Sequence, residues 1–281
     1  MLQTLPPELL PLAGLSIAAL GACIGSFLNV VAWRLPRQES LIHPGSHCPH
    51  CGSRLRWFEN IPLFSWLLQR GRCRHCRGAI AVRYPAVEAL TAGLFVAACV
   101  ALPSGLGAAP PPLLVVLGGW LLVGLLLPLL LIDLDHLWLP EPLCRWGVVL
   151  GLLVCASAGF SQGDAIGRSL LLWHLLAASA GLLGCEAVSA AAGKLLGKPA
   201  LGLGDAKLAA LLGAWLGLTG LGLMVSLAVL TGALFGLLGR LSGRLKRQQP
   251  FPFGPFLAAA GLAVWIGGNT LWQQLLWPAL G

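Results

Sequence analysis

Two aspartates stand at the ends of long apolar stretches of this sequence. Asp133 closes one such stretch, and Asp205 opens another after Gly202 and Gly204. Ionisable side chains at membrane depth are costly and usually face a protein interior or a watery cavity, so they are functional candidates. Two neighbouring carboxylates cannot both ionise, and one can then act as acid and the other as base. The pair predicts an aspartate dyad that activates water to cleave a peptide bond.

Structural explanations for each aspartate stay open from the sequence alone. Asp205 follows a glycine and precedes an apolar run, so it could serve only as the N-cap of a helix. Asp133 could be part of a solvated helix end or of a weak divalent-metal site. Asp135, two positions along the chain, is the alternative catalytic residue. Lys207 either tunes Asp205, binds substrate, or merely follows the charge pattern of the loops.

Four cysteines form two close pairs within the one long hydrophilic segment, 32–86. The pairs are Cys48-Pro49-His50-Cys51 and Cys73-Arg74-His75-Cys76, with 21 residues between them. This spacing is close to that of zinc sites in which four thiolates surround a structural Zn²⁺. Metal binding would supply folding free energy to a segment with few large apolar side chains. The alternatives are free thiols or two disulfides, and a reducing cytoplasm disfavours disulfides.

The other cysteines and the nearby histidines give weaker indications of a function than the two cysteine pairs do. Three histidines beside the pairs are substitute metal ligands: His47, His50 and His75. Five cysteines lie singly in or beside apolar runs, where a small buried apolar residue is the simpler interpretation: Cys23, Cys99, Cys144, Cys155 and Cys185.

Membrane helices must position these side chains. Mean hydropathy is +0.83, and charged residues make up 10% of the chain. A span needs about 20 apolar residues, and these continuous runs lack the alternation of a membrane β-barrel. We predict an all-α polytopic membrane protein with about eight transmembrane helices. The candidate spans are 9–31, 87–103, 113–132, 143–159, 169–192, 206–218, 220–239 and 255–271. The segments 206–218 and 220–239 could instead form a single broken helix.

The positive charge follows membrane topology. With 32–86 assigned to the cytoplasm, the eight spans place 17 of the 18 basic residues at that side, and only Arg168 outside. Both termini then face the periplasm, and the two aspartates lie at the same cytoplasmic face. Because topology accounts for the net charge of +8, nucleic-acid binding has little support.

Several stretches together resemble the type IV prepilin peptidases of pilus and type II secretion systems. The resemblance extends over essentially the full length and rests on Gly25–Val31, Arg34–Pro36, Cys48 with Cys51, Glu59–Leu63, Ser65-Trp66, Arg70–Cys73 with Cys76, Arg83–Pro85 with Glu88, Ile132-Asp133 with Asp135, Gly202–Lys207 and Pro252–Pro255.

This resemblance implies a bifunctional enzyme of the bacterial inner membrane. Such an enzyme cleaves the basic leader of prepilins or pseudopilins after a glycine and then methylates the new N-terminus with S-adenosylmethionine. The catalytic aspartates map onto Asp133 and Asp205, and the Gly-x-Gly-Asp motif onto Gly202, Gly204 and Asp205. The zinc-type cysteines map onto Cys48, Cys51, Cys73 and Cys76. The location of the S-adenosylmethionine pocket is not implied.

One position departs from the family pattern. This chain has Leu139-Pro140-Glu141 where the family usually has Leu-Pro-Asp, so Glu141 replaces an aspartate. The predicted organisation is a first transmembrane helix (1–31), a cytoplasmic zinc-binding module associated with methyl transfer (32–86), and a transmembrane aspartic peptidase domain (87–281). The substrates would be prepilins or pseudopilins, met at the lipid bilayer.

Other function classes remain open. A non-enzymatic zinc-ribbon scaffold of a secretion system would explain the cysteines but leave the aspartates unexplained. A peptidase without methyltransferase activity is a further alternative. A transporter would also use intramembrane carboxylates, and a broken helix pair at 206–239 is compatible with one.

Overall fold

The structure is a computed structural model that describes residues 6–101, 105–196, 202–243 and 252–276. The helices are α1 (Leu10–Arg34), α2 (Phe64–Leu68), α3 (Arg83–Ala98), α4 (Pro112–His136), α5 (Glu141–Phe160), α6 (Asp164–Leu196), α7 (Leu203–Leu241) and α8 (Gly254–Leu276). Two short 3₁₀ turns and two isolated β-bridges lie between α1 and α3. The predicted all-α fold is therefore confirmed for the described residues.

Six helices are long and apolar enough to cross a membrane, namely α1 and α4 to α8. The predicted span 87–103 corresponds to α3, which has 16 residues, and residues 102 and 103 lie outside the described part. A helix of that length reaches about 24 Å, less than the hydrocarbon thickness of about 30 Å. The prediction of about eight spans therefore stays a prediction.

The predicted spans 206–218 and 220–239 both fall within α7, which is broken at Gly217. The backbone there has φ 68° and ψ −178°, a left-handed conformation that glycine adopts at little cost. His174 of α6 lies beside the break, with its Nε2 atom 3.3 Å from the place of a Cβ at residue 217. The long apolar stretch is therefore two helices joined at one glycine.

The chain forms two compact units, Met1–Val100 and Ala101–Gly281. The N-terminal unit contains α1 to α3 and the cysteine pairs, and the C-terminal unit contains α4 to α8. This division follows packing, whereas the division predicted from the sequence, at 31 and 86, follows chemistry and stays a prediction. The charge count also used Lys198, Arg244, Lys246 and Arg247, which lie outside the described residues.

The core of the C-terminal unit contains two large aromatic side chains. Trp215 of α7 and Trp265 of α8 meet edge to face, with ring centroids 5.6 Å apart. The Trp215 Nε1 donates a hydrogen bond of 2.9 Å to the carbonyl oxygen of Gly147 in α5. Because one ring contacts two helices and satisfies its polar atom, it fixes how α5, α7 and α8 pack.

Candidate active site and metal centre

Asp133 lies at the carboxyl end of α4 and is buried, with 6% of its surface exposed. The helix ends at His136, and the N–H of the C-cap residue Leu137, whose φ of 50° is left-handed, donates to the Asp133 carbonyl oxygen. The backbone of Gly254 lies close to the carboxylate, but among the described residues none donates a well-aligned hydrogen bond to Asp133 Oδ2. A buried carboxylate oxygen without such a donor is costly, so its position points to a chemical role.

Gly254, the first residue of α8, packs directly against Asp133. A Cβ at residue 254 would lie 2.6 Å from Asp133 Oδ2. Any side chain there would displace the carboxylate, which explains why glycine occupies this position. The stretch Pro252–Pro255 carries part of the family resemblance, but its contact with the aspartate was not predicted.

Asp205 lies in the first turn of α7, three residues after the N-cap Gly202. Its Oδ2 accepts a hydrogen bond of 3.2 Å from the Gly202 N–H. The N-cap interpretation is therefore wrong in position, because the N-cap is Gly202 and Asp205 bonds back to it. Among the residues described, this is the only hydrogen bond of the carboxylate.

The structure brings the two aspartates into one neighbourhood. Asp133 is close enough to Asp205 for their negative charges to repel each other. A Cβ at Gly204, one residue before Asp205, would lie 3.2 Å from the Cβ of Leu139, in the loop after α4. The side chain of Asp135 is exposed, unlike that of Asp133. The carboxyl end of α4 and the amino end of α7 therefore meet at the proposed dyad.

Lys207 was predicted to belong to the site, but its partner Glu141 and the position of Cys185 near the dyad were not. Lys207 Nζ binds Glu141 Oε2 at 2.8 Å, so the lysine is engaged by the residue that departs from the family pattern. Cys185 of α6, expected to be a buried apolar residue, is half-buried and lies close enough to Asp205 to feel the charge of its carboxylate. No signal in the sequence indicated either contact, because each joins different helices.

The four paired cysteines of the N-terminal unit converge on one point. Their sulfur atoms all lie within 4.8 Å of one another, and those of Cys48 and Cys76 are 3.9 Å apart. Four sulfurs about 2.3 Å from a tetrahedral metal ion would be separated by about 3.8 Å. The cluster therefore fits a single tetrahedral ion, and none of the four is in a disulfide.

Each cysteine pair lies on the same kind of turn. The Cys48 N–H donates to the Ser53 carbonyl, and the Cys48 carbonyl accepts from the Gly52 N–H. In the second turn, the Cys73 N–H donates to the Gly78 carbonyl, and the Cys73 carbonyl accepts from the Arg77 N–H. The two turns therefore share one hydrogen-bond pattern, and each of them presents two sulfur atoms.

Local hydrogen bonds favour the thiolate form of Cys51 and Cys73. At Cys76, the Gly78 backbone hydrogen bond is outweighed by burial and the neighbouring cysteines, which raise the pKa of that thiol to about 11. The Ser53 side chain, with its backbone N–H, lowers the pKa of Cys51 to about 6. Backbone N–H groups of Cys76 and His75 lower the pKa of Cys73. Because the thiolate is the form that binds metal, the donors prepare Cys51 and Cys73 for an ion.

Comparison with known proteins gives consistent matches along the chain. Residues 19–102 match the bacterial peptidase A24 N-terminal domain, and residues 120–237 match the type IV leader peptidase family. No solved structure matches.

Three curated relatives are named prepilin leader peptidase/N-methyltransferase. The one from Myxococcus xanthus (strain DK1622) is 38% identical over 98% of this chain and 79% of its own length. The one from Aeromonas hydrophila is 39% identical over 90% of each chain. The one from Neisseria gonorrhoeae is 33% identical over 98% of this chain and 96% of its own length.

Proposed function

Because the chain belongs to the type IV leader peptidase family, we propose that it cleaves the leader from prepilins or pseudopilins and then methylates the new N-terminus. The observation that carries the cleavage step is the burial of the Asp133 carboxylate beside the charge of Asp205. The methylation step is supported by the names of the relatives.

The proposed chemistry of cleavage needs only the two carboxylates and a water molecule. One carboxylate is ionised and takes a proton from the water, which attacks the scissile carbonyl carbon. The other carboxyl group is protonated and donates to the carbonyl oxygen. When the tetrahedral species collapses, the C–N bond breaks, the leaving amine takes the proton that the first carboxylate received from water, and a hydroxyl of the tetrahedral species returns a proton to the other carboxylate. Asp133 and Asp205 would share these two roles.

The apolar part of the substrate would be held in the C-terminal unit. A groove of about 800 Å³ runs between α6, α7 and α8 and is lined mostly by glycine, alanine and branched aliphatic residues. Small residues allow another helix to approach closely in lipid. Cys185 lines this groove and lies close to Asp205. We therefore place the apolar segment of the prepilin in this groove.

The six membrane-capable helices make the chain a multi-pass membrane protein. We propose that it lies in the bacterial inner membrane with both termini in the periplasm and the dyad at the cytoplasmic face. The support is the placement of basic residues, which would also hold a basic leader in the cytoplasm.

Two cofactors belong to this proposal. The four-cysteine cluster would hold a structural Zn²⁺, because four thiolates in a closed tetrahedron suit that ion. S-adenosylmethionine, when bound, supplies an electrophilic methyl group for the new terminal amine. The cluster would stabilise the segment 32–86 rather than take part in bond making.

Co-expression with a prepilin, followed by mass spectrometry of the prepilin N-terminus, tests cleavage and methylation together. The wild-type enzyme should yield a methylated N-terminus at the cleavage site. Asp133→Asn and Asp205→Asn should each leave the leader in place, because an amide cannot exchange the proton. Asp164→Asn, an exposed aspartate in the first turn of α6, is the matched control and should process normally.

Two results would contradict parts of this proposal. Clear processing by either dyad variant would remove the assigned dyad, and a dead Asp135→Asn beside an active Asp133→Asn would move the site. A cleaved but unmethylated product from the wild-type enzyme, with S-adenosylmethionine supplied, would leave only the peptidase.

A further inference from the structure

The N-terminal unit encloses a second cavity, of about 430 Å³, among α1, the cysteine-bearing turns and the start of α3. Its lining combines aromatic rings with carboxylates, among them Trp33, Glu59, Trp66, Tyr84 and Glu88. A volume of this size is usual for a small-molecule or cofactor site, at about 300–1,000 Å³. The peptidase proposal makes no use of this cavity.

Two of the lining carboxylates are buried without a cation. Glu59 and Glu88 are 6% and 8% exposed. Glu59 Oε2 accepts from the Arg56 N–H at 2.8 Å, and Glu88 Oε2 accepts from the Leu63 N–H at 2.7 Å. Within the described ranges, neither forms an ion pair. Burial of an unpaired charge is expensive, so the cavity is prepared for a ligand that carries positive charge.

The one buried arginine of the cavity lining does not supply that charge. Arg34 donates to the carbonyl oxygens of Ser40 at 2.9 Å and Pro44 at 2.7 Å, with a longer contact of 3.5 Å to Gly45. Its guanidinium is thus committed to the backbone of the loop after α1. The negative charge of the two glutamates remains directed to the cavity.

The aromatic side chains add surfaces that suit a purine and a cation. Trp66 is fixed by a hydrogen bond of 3.1 Å from its Nε1 to the Ile80 carbonyl. Trp33 already has the Arg37 guanidinium 3.7 Å from its ring centroid. Tyr84 is held through its carbonyl oxygen, which accepts from Asn29 Nδ2 at 3.3 Å. Aromatic faces stack on bases and attract cations.

We propose that this cavity binds S-adenosylmethionine, with Glu59 and Glu88 neutralising its positively charged sulfonium and ammonium groups. The aromatic side chains would contact its adenine. The inference rests on the proposed methyltransferase function and deepens it.

Isothermal titration of the full-length protein with S-adenosylmethionine and with S-adenosylhomocysteine tests the proposal without requiring turnover. The product lacks the sulfonium charge, so the wild-type protein should bind S-adenosylmethionine more tightly. Glu88→Gln should raise the dissociation constant of S-adenosylmethionine about tenfold or more, the loss expected for a charge-assisted contact. Glu59→Gln should act in the same direction. In both variants, the dissociation constants of S-adenosylmethionine and S-adenosylhomocysteine should be closer to each other than in the wild-type protein.

Each glutamine keeps the side-chain oxygen that accepts the backbone N–H, so the fold should persist, and circular dichroism checks this. Glu8→Gln is the matched control, because Glu8 is exposed and outside the cavity. It should bind both ligands as the wild-type protein does. Trp33→Leu, at a side chain that is 49% exposed, should weaken binding of both ligands to a similar extent.

The outcomes separate this inference from the proposed function. If Glu59→Gln and Glu88→Gln bind S-adenosylmethionine like the wild-type protein while prepilin methylation persists, the cavity assignment is overturned and the proposed function stands. If the wild-type protein binds neither ligand and releases only unmethylated prepilin, both the assignment and the methyltransferase part of the function fail.

Discussion

The candidate groups of the N-terminal unit stand on tight turns and a loop, whereas those of the C-terminal unit stand at the ends of long helices. The cysteines are placed by hydrogen bonds between residues four and five positions apart. Asp133 and Asp205 are placed by contacts among α4, α7 and α8, which join residues far apart in the chain. A locally built site should tolerate changes elsewhere in the fold, while a site built by packing should respond to small changes in a distant helix.

The sharpest test of this contrast is Gly254→Ala. The added methyl group would lie 2.6 Å from Asp133 Oδ2, so the carboxylate must move. We expect the cleavage rate to fall about 100-fold, as is usual when a catalytic group is misplaced by about 1 Å. Gly124→Ala in α4 is the control, since no atom lies within 4 Å of its added Cβ, and its rate should stay near wild type. Cleavage of a purified prepilin in detergent measures both. Equal cleavage rates for the two variants would contradict the inference that packing of α8 positions Asp133.

The proposed zinc site should depend on its own cysteines rather than on packing in a distant helix. Cys48→Ser or Cys76→Ser removes one thiolate ligand, and bound zinc should fall well below about one ion per chain. We expect methylation to decline at least as much as cleavage, because the aspartates belong to the other unit. Cys23→Ser, an exposed cysteine of α1 outside the cluster, should keep its metal. Metal analysis and the mass of the prepilin N-terminus give the two readouts, and preparations of wild-type protein without zinc would remove the assigned ion.

The smallest effect is expected at the ion pair of Lys207 and Glu141. The two side chains are 39% and 63% exposed, and exposed ion pairs contribute little. Lys207→Met and Glu141→Gln should each change the cleavage rate by less than about threefold. The double variant should match the single ones, because either change already breaks the pair. A large loss confined to Lys207→Met would instead indicate that the lysine contacts substrate.

Much of the architecture was accessible from local sequence pattern. Apolar runs of span length predicted a membrane-capable all-α fold, and the structure confirms it among the residues described. The spacing of the cysteine pairs predicted one four-sulfur cluster, which the structure also brings together. The family membership predicted from the quoted stretches is confirmed by the relatives. The number of spans was harder to predict, because α3 is short and a single glycine divides α7.

Local sequence pattern contained the helices and the pairing of the cysteines, and it predicts that the two aspartates lie at a similar depth. These properties depend on residues within a few turns of one another, so a local pattern contains them. Only the tertiary structure decided that Gly254 packs on Asp133, that Lys207 binds Glu141, and that Glu59 and Glu88 line one cavity. Each of these depends on how distant segments pack, and packing is a property of the assembled surfaces rather than of any one segment.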